Sequence, residues 1–141
     1  MRTGRSWRGT GGCLDRMQEH HIGVIVRDIE EGRMVFGCLG YRPCGEVVED
    51  IGQHNRILFL ENGQSLSRIE LIEPLDGAST VRNARHGIHH ICYEVDEGFM
   101  ESFKTLKIGR MLPQRYIAPA LGNRQVVFAC LRGGLYVEFL I

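Results

Sequence analysis

Two histidines and two glutamates recur at matched places in the two halves of this 141-residue chain. H-I-G-V-I-V begins at His21, and H-I-C-Y-E-V begins at His90, 69 residues later. Glu70 lies within I-E-L-I, and Glu138 lies within V-E-F-L, 68 residues later. Taken alone, a strand histidine is more often an ordinary core or edge residue, and a strand glutamate more often faces solvent. Coincidence rarely produces four such residues at matched positions, so we predict that they form one site.

The chemistry that suits these four residues is the binding of one divalent metal ion. Two neutral imidazoles and two carboxylates fit Zn, Co, Ni, Mn or Fe, and the carboxylates balance the charge of the ion. A five- or six-coordinate ion would keep one or two positions for water or for substrate oxygens. It could hold a carbonyl and stabilise an enolate after proton removal, while one glutamate leaves the metal and acts as the base.

The remaining four histidines of the candidate domain are assigned no metal-binding role. His20 and His89 each precede a proposed ligand, and the side chains of a strand alternate between its two faces. We therefore expect both to point to the opposite face. His54 and His86 lie in predicted loops. The two H-H pairs leave open another register, in which His20 or His89 replaces its neighbour.

The elements that must position these residues are short strands and two helices. The first half is predicted to contain a strand at 21–26, a helix at 28–39 with Asp28 as its N-cap, strands near 44–49, 56–60 and 67–72 with a turn at 61–64, and a linker at 74–80. The second half is predicted to contain a strand at 90–95, a helix at 97–107 after Asp96, and strands near 110–117, 125–130 and 135–140. Each half reads strand, helix, strand, strand, strand, which is typical of a duplicated unit.

This repeat predicts an α+β fold in which two paired βαβββ modules form a curved mixed sheet with a metal-binding cleft. We expect one domain over 18–141, with module 1 at about 20–75 and module 2 at about 88–141. Residues 1–17 hold four Arg, four Gly and one acidic residue without periodicity, so we interpret them as a flexible basic leader. They lack the amphipathic pattern of a targeting peptide.

Composition excludes several classes of partner. Seventeen basic residues match seventeen acidic ones, which gives no support for binding to nucleic acid or to a membrane surface. No apolar run approaches the roughly 20 residues that a membrane span needs. The five cysteines form no C-x-x-C pair, which argues against a thiolate zinc site. Cys38, Cys92 and Cys130 have apolar neighbours, so we predict buried free thiols in a reducing, cytoplasmic setting.

The chain resembles the vicinal-oxygen-chelate superfamily, also called the glyoxalase/bleomycin-resistance/dioxygenase superfamily. The resemblance begins at about His20 and runs to the C-terminus. Within the superfamily it points to the methylmalonyl-CoA epimerase-like members. The segments that carry it are H-H-I-G-V-I-V-R-D-I-E, I-E-L-I-E-P-L, G-I-H-H-I-C-Y-E-V-D, G-N-R-Q-V-V-F and L-Y-V-E-F-L. The resemblance implies paired βαβββ modules, a metal in the cleft held by His21, Glu70, His90 and Glu138, and a homodimer.

Two departures from the epimerase pattern concern the substrate and the second base. A-C-L-R-G-G at 129–134 stands where epimerases typically carry H-P-K. Bacterial epimerases can use a second glutamate in the strand before the I-E-L-I strand, and Ile57 falls at that place. Glu138, the predicted catalytic base, therefore lacks an obvious opposing partner. Glu61 and Glu73 are near in sequence, but the sequence does not place either in the cleft.

The favoured function is a metal-dependent isomerase or lyase that abstracts a proton alpha to a carbonyl, epimerase-like on an acyl-CoA or a related small-molecule acyl substrate. Alternatives are a glyoxalase-like lyase acting on a thiol adduct and a metal-free protein that binds small molecules or confers resistance. Iron-dependent dioxygenase chemistry needs only two histidines and one carboxylate, so the fourth ligand argues against it. Arg124, in the family-like G-N-R segment, is a better candidate than Arg115 for contact with an anionic part of the substrate.

Overall fold

The computed structural model describes residues 17–64 and 68–141. The predicted leader, except Met17, and the first residue of the strand predicted at 67–72 lie outside the described residues. Within the described ranges, no helix is long and apolar enough to cross a membrane.

Both halves of the chain form a helix and a set of strands. The first half contains β1 (Gln18–Ile25), α1 (Ile29–Gly37), β2 (Tyr41–Pro43), β3 (Val48–Asp50), β4 (Asn55–Asn62) and β5 (Arg68–Pro74). The second half contains β6 (Gly87–Glu94), α2 (Glu97–Leu106), β7 (Gly109–Ala118), β8 (Arg124–Leu131) and β9 (Tyr136–Leu140). Asp28 and Asp96 cap the two helices as predicted, since each side chain accepts a hydrogen bond from a backbone amide in the first turn.

The strands form one mixed sheet in the order β2-β4-β5-β1-β6-β9-β8-β7, and β3 pairs with β4 beside this path. In each half the first and last strands are parallel, β1 with β5 and β6 with β9. The central strands β1 and β6 are antiparallel and join the two halves. The predicted pair of βαβββ modules is therefore confirmed.

The strand predicted near 44–49 is instead two short strands, β2 and β3, on the same side of β4. Pro43 pairs with Leu60 and Val48 pairs with Ile57, so the four residues 44–47 lie opposite only two residues of β4. The excess residues bulge out of the ladder and interrupt the strand. Module 2 has a single long strand, β7, at the corresponding place in its order of elements.

The two faces of the sheet differ in what covers them. On the helix face, α1 and α2 cover alternate apolar residues of the strands, and Leu71 and Phe139 are almost fully buried there. Because side chains alternate, the neighbours Glu70 and Glu138 lie on the other face, which we call the cavity face. The helix-face core comprises Val24, Ile29, Leu58, Leu60, Ile69 and Leu71 in module 1 and Val95, Phe99, Met100, Phe103, Val127, Ala129, Val137 and Phe139 in module 2.

The cysteine prediction is correct for one residue and wrong for another. Cys92 is buried in the sheet, but Cys38 is exposed and Cys130 is half-buried. Cys38 is the C-cap of α1, whose last turn also exposes Met34 and Val35. Apolar neighbours in the sequence therefore did not indicate burial at a helix end. The four cysteines within the described ranges are free.

Candidate metal centre

The register of the four central strands brings the predicted ligands together. In the antiparallel pair, Gly23 lies opposite His90, and Cys92 lies opposite His21. The parallel pairs place Gly23 beside Glu70 and Cys92 beside Glu138. The arrangement is the same in both modules, with the Ile22–Ile91 pair at its centre. The four side chains therefore meet across the seam between the modules.

The four side chains form a compact, buried quartet. The Nε2 atoms of His21 and His90 are 3.4 Å apart. His21 Nε2 lies 3.6 Å from Glu70 Oε2 and 3.3 Å from Glu138 Oε1. His90 Nε2 lies 3.6 Å from Glu70 Oε1 and 3.7 Å from Glu138 Oε1. Ligand atoms bound tetrahedrally at about 2.1 Å from one ion stand about 3.4 Å apart. The spacings around the two imidazoles therefore fit a single divalent ion. The ligand atoms of His21, Glu70 and His90 all lie within 4.8 Å of one another, a group that does not include Glu138.

The electrostatics of the quartet also fit a cation. Burial raises the pKa of Glu70. The positive charge of His21 opposes this effect, and the negative charge of Glu138 raises the pKa further. Burial opposes ionisation of Glu138 too, but the neighbouring His90, His21 and Cys92 side chains lower its pKa. In the described part of the chain, Glu138 Oε1 is buried without a hydrogen-bond partner. Two buried carboxylates, one with an unpaired oxygen, are costly unless a positive charge lies between them.

His20 and His89 do not point to the opposite face, so that prediction is wrong. Each occupies a β-bulge between β1 and β6, and a bulge adds a residue that re-aims its side chain. His20 Nδ1 lies 2.8 Å from His21 Nδ1, and His89 Nδ1 lies 2.9 Å from His90 Nδ1. The pairs that flank the bulges are Glu19–Tyr93, His21–Cys92, Gly23–His90 and Val24–Ile88.

Both bulge histidines are held in the neutral form at pH 7. Burial, the adjacent His21 and the charge of Arg68 lower the pKa of His20 to about 4. Burial lowers the pKa of His89. The Nε2 atoms of His21 and His90, rather than those of their neighbours, lie beside both glutamates.

A cavity of about 520 Å³ opens beside the quartet. Glu70, His90 and Glu138 contribute to its wall, and its volume falls in the range of small-molecule sites. His89 also lines it, with its ring stacked on Tyr136 at a centroid distance of 5.6 Å. Its lining combines apolar side chains with three carboxylates, two imidazoles and several amide and hydroxyl groups, so a bound ligand would meet both apolar surface and hydrogen-bonding groups.

A carboxylate that sequence reasoning missed, Asp50, lines the same cavity from the end of β3. Its side chain accepts hydrogen bonds from the Gln53 backbone amide at 3.0 Å and from Gln53 Nε2 at 3.4 Å. Burial raises the pKa of Asp50, and the negative charge of Glu138 raises it further. The hydrogen bond from the Gln53 amide lowers the pKa but does not cancel these effects. A strand predicted to end at residue 49 leaves Asp50 just outside it, where no periodicity could mark it.

The positions that the sequence offered for a second base, Ile57, Glu61 and Glu73, contribute no carboxylate to the cavity wall. Ile57 lines the cavity with an apolar side chain. Glu73 accepts a hydrogen bond from the Ile29 amide at 3.0 Å, at the start of α1. Glu61 pairs with Arg68 at 3.4 Å, and both side chains are partly exposed. Neither glutamate is among the residues that line the cavity.

The two candidate arginines are engaged with other residues and do not line the cavity. Arg124 donates to Glu94 Oε1 at 3.2 Å and to the Ile141 carbonyl at 3.4 Å. Arg115 donates to Glu97 and to Gln125, each at 3.1 Å. Contact of Arg124 with the substrate stays a prediction.

Comparison with known proteins shows relatives by sequence and by structure. Residues 20–128 match the family described as the Glyoxalase/Bleomycin resistance protein/Dioxygenase superfamily. Mitochondrial methylmalonyl-CoA epimerase of Bos taurus is 29% identical over 94 residues, which cover 62% of this chain and 52% of that protein. The match thus spans about half the length of the bovine enzyme.

Solved structures share the fold. Methylmalonyl-CoA epimerase from Mycobacterium tuberculosis has a TM-score of 0.75 and 19% identity, covering 95% of this chain and 92% of that chain. A hypothetical protein from Bacillus halodurans has a TM-score of 0.74 and 28% identity, covering 88% and 93%. A variant of Streptomyces coelicolor methylmalonyl-CoA epimerase in complex with 2-nitronate-propionyl-CoA has a TM-score of 0.67 and 18% identity, covering 89% and 95%.

Proposed function

Since this chain belongs to the glyoxalase/bleomycin resistance protein/dioxygenase superfamily, we propose that it is a metal-dependent enzyme that removes a proton alpha to a carbonyl. The proposed substrate is an acyl-CoA or a related acyl compound, and the proposed reaction is an epimerisation. One observation carries the proposal: Glu138 Oε1 is buried beside two imidazoles without a hydrogen-bond partner among the described residues. The epimerase names of the relatives support the substrate class.

The residues proposed to hold the ion are His21, Glu70, His90 and Glu138. Their donor set suits Zn, Co, Ni, Mn or Fe. An ion bound there would polarise a carbonyl oxygen and stabilise the negative charge that develops on it as the proton leaves. The apolar part of the cavity would exclude water and so strengthen the electrostatic interactions within the site.

Glu138 is the proposed base. Its carboxylate takes the proton from the alpha carbon, and the electron pair of the broken C–H bond moves into the adjacent carbonyl group. Asp50, which lines the same cavity from a different strand, returns a proton to the opposite face of that carbon. The configuration is thereby inverted with no net change in composition, and the two carboxyl groups exchange roles in the reverse direction. Asp50 is thus the proposed partner of Glu138, in place of the second glutamate of the epimerase pattern, where this chain has Ile57.

The decisive experiment measures exchange and inversion separately by NMR in heavy water, with metal-loaded protein and methylmalonyl-CoA as the first of several acyl thioesters. We expect the wild type to exchange the alpha proton and to epimerise the substrate. Asp50→Asn should still exchange the alpha proton of one epimer through Glu138. Its rate of epimerisation should fall by about 100-fold or more. Asp76→Asn is the matched control, since Asp76 is exposed and is not among the cavity-lining residues.

Three results would redirect the assignment. If metal-loaded protein exchanges no alpha proton from any acyl thioester, the proposed function is wrong. Turnover of a methylglyoxal–thiol adduct would instead favour the glyoxalase-like alternative, which uses the same quartet. Protein that stays metal-free in excess zinc, nickel and cobalt would favour small-molecule binding. A homodimer and a cytoplasmic location stay predictions.

A further inference from the structure

We infer that the bulge histidines, His20 and His89, are positioning residues that orient the proposed metal-binding rings of His21 and His90 through ring-to-ring hydrogen bonds. The inference rests on the proposed function for the ion itself. Its structural basis is a feature that both modules repeat, a β-bulge one residue before each ligand.

The two histidine pairs have nearly the same geometry. The ring centroids are 5.1 Å apart in both pairs, and the interplanar angles are 82° and 89°. Each bulge histidine also lies edge-on to a phenylalanine, His20 to Phe59 and His89 to Phe128, and His89 in addition stacks on Tyr136. Both modules therefore repeat the bulge, the Nδ1 contact and the edge-on aromatic ring.

The contact uses the ring nitrogen that an ion would not use. In each ligand ring, Nε2 faces the glutamates and Nδ1 faces the bulge histidine. A neutral imidazole donates through one nitrogen and accepts through the other. A ring that donates its Nδ1 proton therefore presents the Nε2 lone pair, and such an outer partner fixes both the tautomer and the ring orientation of a metal ligand. His89 can accept this proton from His90.

The His20 pair differs because Arg68 Nη1 lies 2.9 Å from His20 Nε2. A guanidinium can only donate, so Nε2 of a neutral His20 must accept and its Nδ1 must carry the proton. His20 then donates to His21, whose remaining ring proton lies on Nε2, 3.4 Å from His90 Nε2. Ion binding at His21 Nε2 requires this hydrogen bond to reverse and Arg68 to move away. Arg68 therefore opposes ion binding, on this side only.

The test measures the dissociation constant for Zn²⁺ by competition with a chelator on the full chain. His89→Leu should weaken binding by about 10- to 100-fold. His20→Leu should weaken it less, because this variant also removes the contact through which Arg68 opposes binding. His89→Asn and His20→Asn should recover most of the loss, because the Asn amide occupies the place of Nδ1. Arg68→Gln should tighten binding by about 3- to 10-fold, since Gln can accept the reversed proton. His86→Leu, at an exposed position, is the control and should match the wild type.

A second readout is the set of imidazole ¹H–¹⁵N correlations of the metal-free protein. We expect Nε2–H on His21 and Nδ1–H on His90, and we expect the Leu variants to lose this assignment while remaining folded. If the wild type binds Zn²⁺ and the Leu variants bind it as tightly as His86→Leu does, the inference fails and the proposed metal site stands. Asn variants as weak as the Leu variants would also overturn it, because ring bulk would then explain the loss. A wild type that takes up no ion overturns both.

Discussion

At the scale of single residues, Gly23 and Cys92 hold equivalent places in the two modules but support the site differently. A side chain at Gly23 would overlap the ring of His90, so the missing side chain creates the space in which that ligand lies. Cys92 lies opposite His21 across the seam and beside Glu138 in the parallel pair of β6 and β9. Burial raises the pKa of the Cys92 thiol, with the charge of Glu138 adding to this, so the thiol stays protonated.

Gly23→Ala should therefore impair the site through His90. The added methyl group must displace a buried imidazole, which typically costs about 1–3 kcal/mol of unfolding free energy. It should also weaken Zn²⁺ binding by at least about tenfold, as expected for a displaced ligand. Denaturant unfolding and a zinc titration measure the two effects.

The matched control for this substitution is Gly37→Ala, where a Cβ meets no atom within 4 Å. Because Gly37 lies in α1, alanine there should be neutral or stabilising by up to about 1 kcal/mol. Unchanged zinc affinity in Gly23→Ala would show that His90 does not need its present position to bind an ion.

At the scale of elements, the segment between the modules is part of the cavity wall as well as a connection. Ser79 Oγ donates to Asn55 Oδ1 at 2.6 Å, and Asn55 Nδ2 donates to Thr80 Oγ1 at 3.3 Å. Thr80 Oγ1 in turn donates to Gln53 Oε1 at 3.3 Å. Since Gln53 also donates to Asp50, this network links the inter-module segment to the proposed second acid.

Ser79→Ala should destabilise the fold by about 1–3 kcal/mol, because it leaves the buried side-chain oxygen of Asn55 without its hydrogen-bond donor. Equilibrium unfolding of the metal-free protein is the measurement. Thr105→Ala is the control: Thr105 donates a comparable hydrogen bond to a backbone carbonyl but is exposed on α2, so its loss should change stability by less than about 0.5 kcal/mol. Equal effects of the two substitutions would mean that the network does not fix the inter-module segment.

The sequence predicted the elements well where they repeat and poorly where they do not. The module plan and the quartet recur in both halves, so duplication made them visible. Asp50 ends β3, and the residue at the equivalent end of β7 is Ala118, so the repeat could not mark this carboxylate. The orientations of His20 and His89 could not be predicted from alternation. The two-residue period holds only where strand pairing is continuous, and a bulge changes which face of the sheet the neighbouring side chains point to. Predicting such a bulge requires the pairing register, which depends on contacts between strands far apart in sequence.

At the scale of the whole molecule, the candidate site lies across the joint between its two halves. His21 and Glu70 come from module 1, and His90 and Glu138 come from module 2. The modules meet along the β1–β6 pair, and the quartet lies on the cavity face of that pair. An ion held by all four residues would cross-link the modules. Without the ion, the burial of two carboxylates destabilises the contact between the modules.

A divalent ion should therefore raise the melting temperature of the whole domain. An ion that binds only the folded state contributes about 2.7 kcal/mol at a free concentration 100 times its dissociation constant. For a domain of this size, that corresponds to a shift of about 5–10 °C, which calorimetry with zinc and then with a chelator would measure. His90→Ala/Glu138→Ala should melt at the same temperature with and without zinc, whatever its stability when metal-free. A wild-type shift that persists in this double variant would show that zinc binds elsewhere on the chain, and the quartet would then not be the ion-binding site.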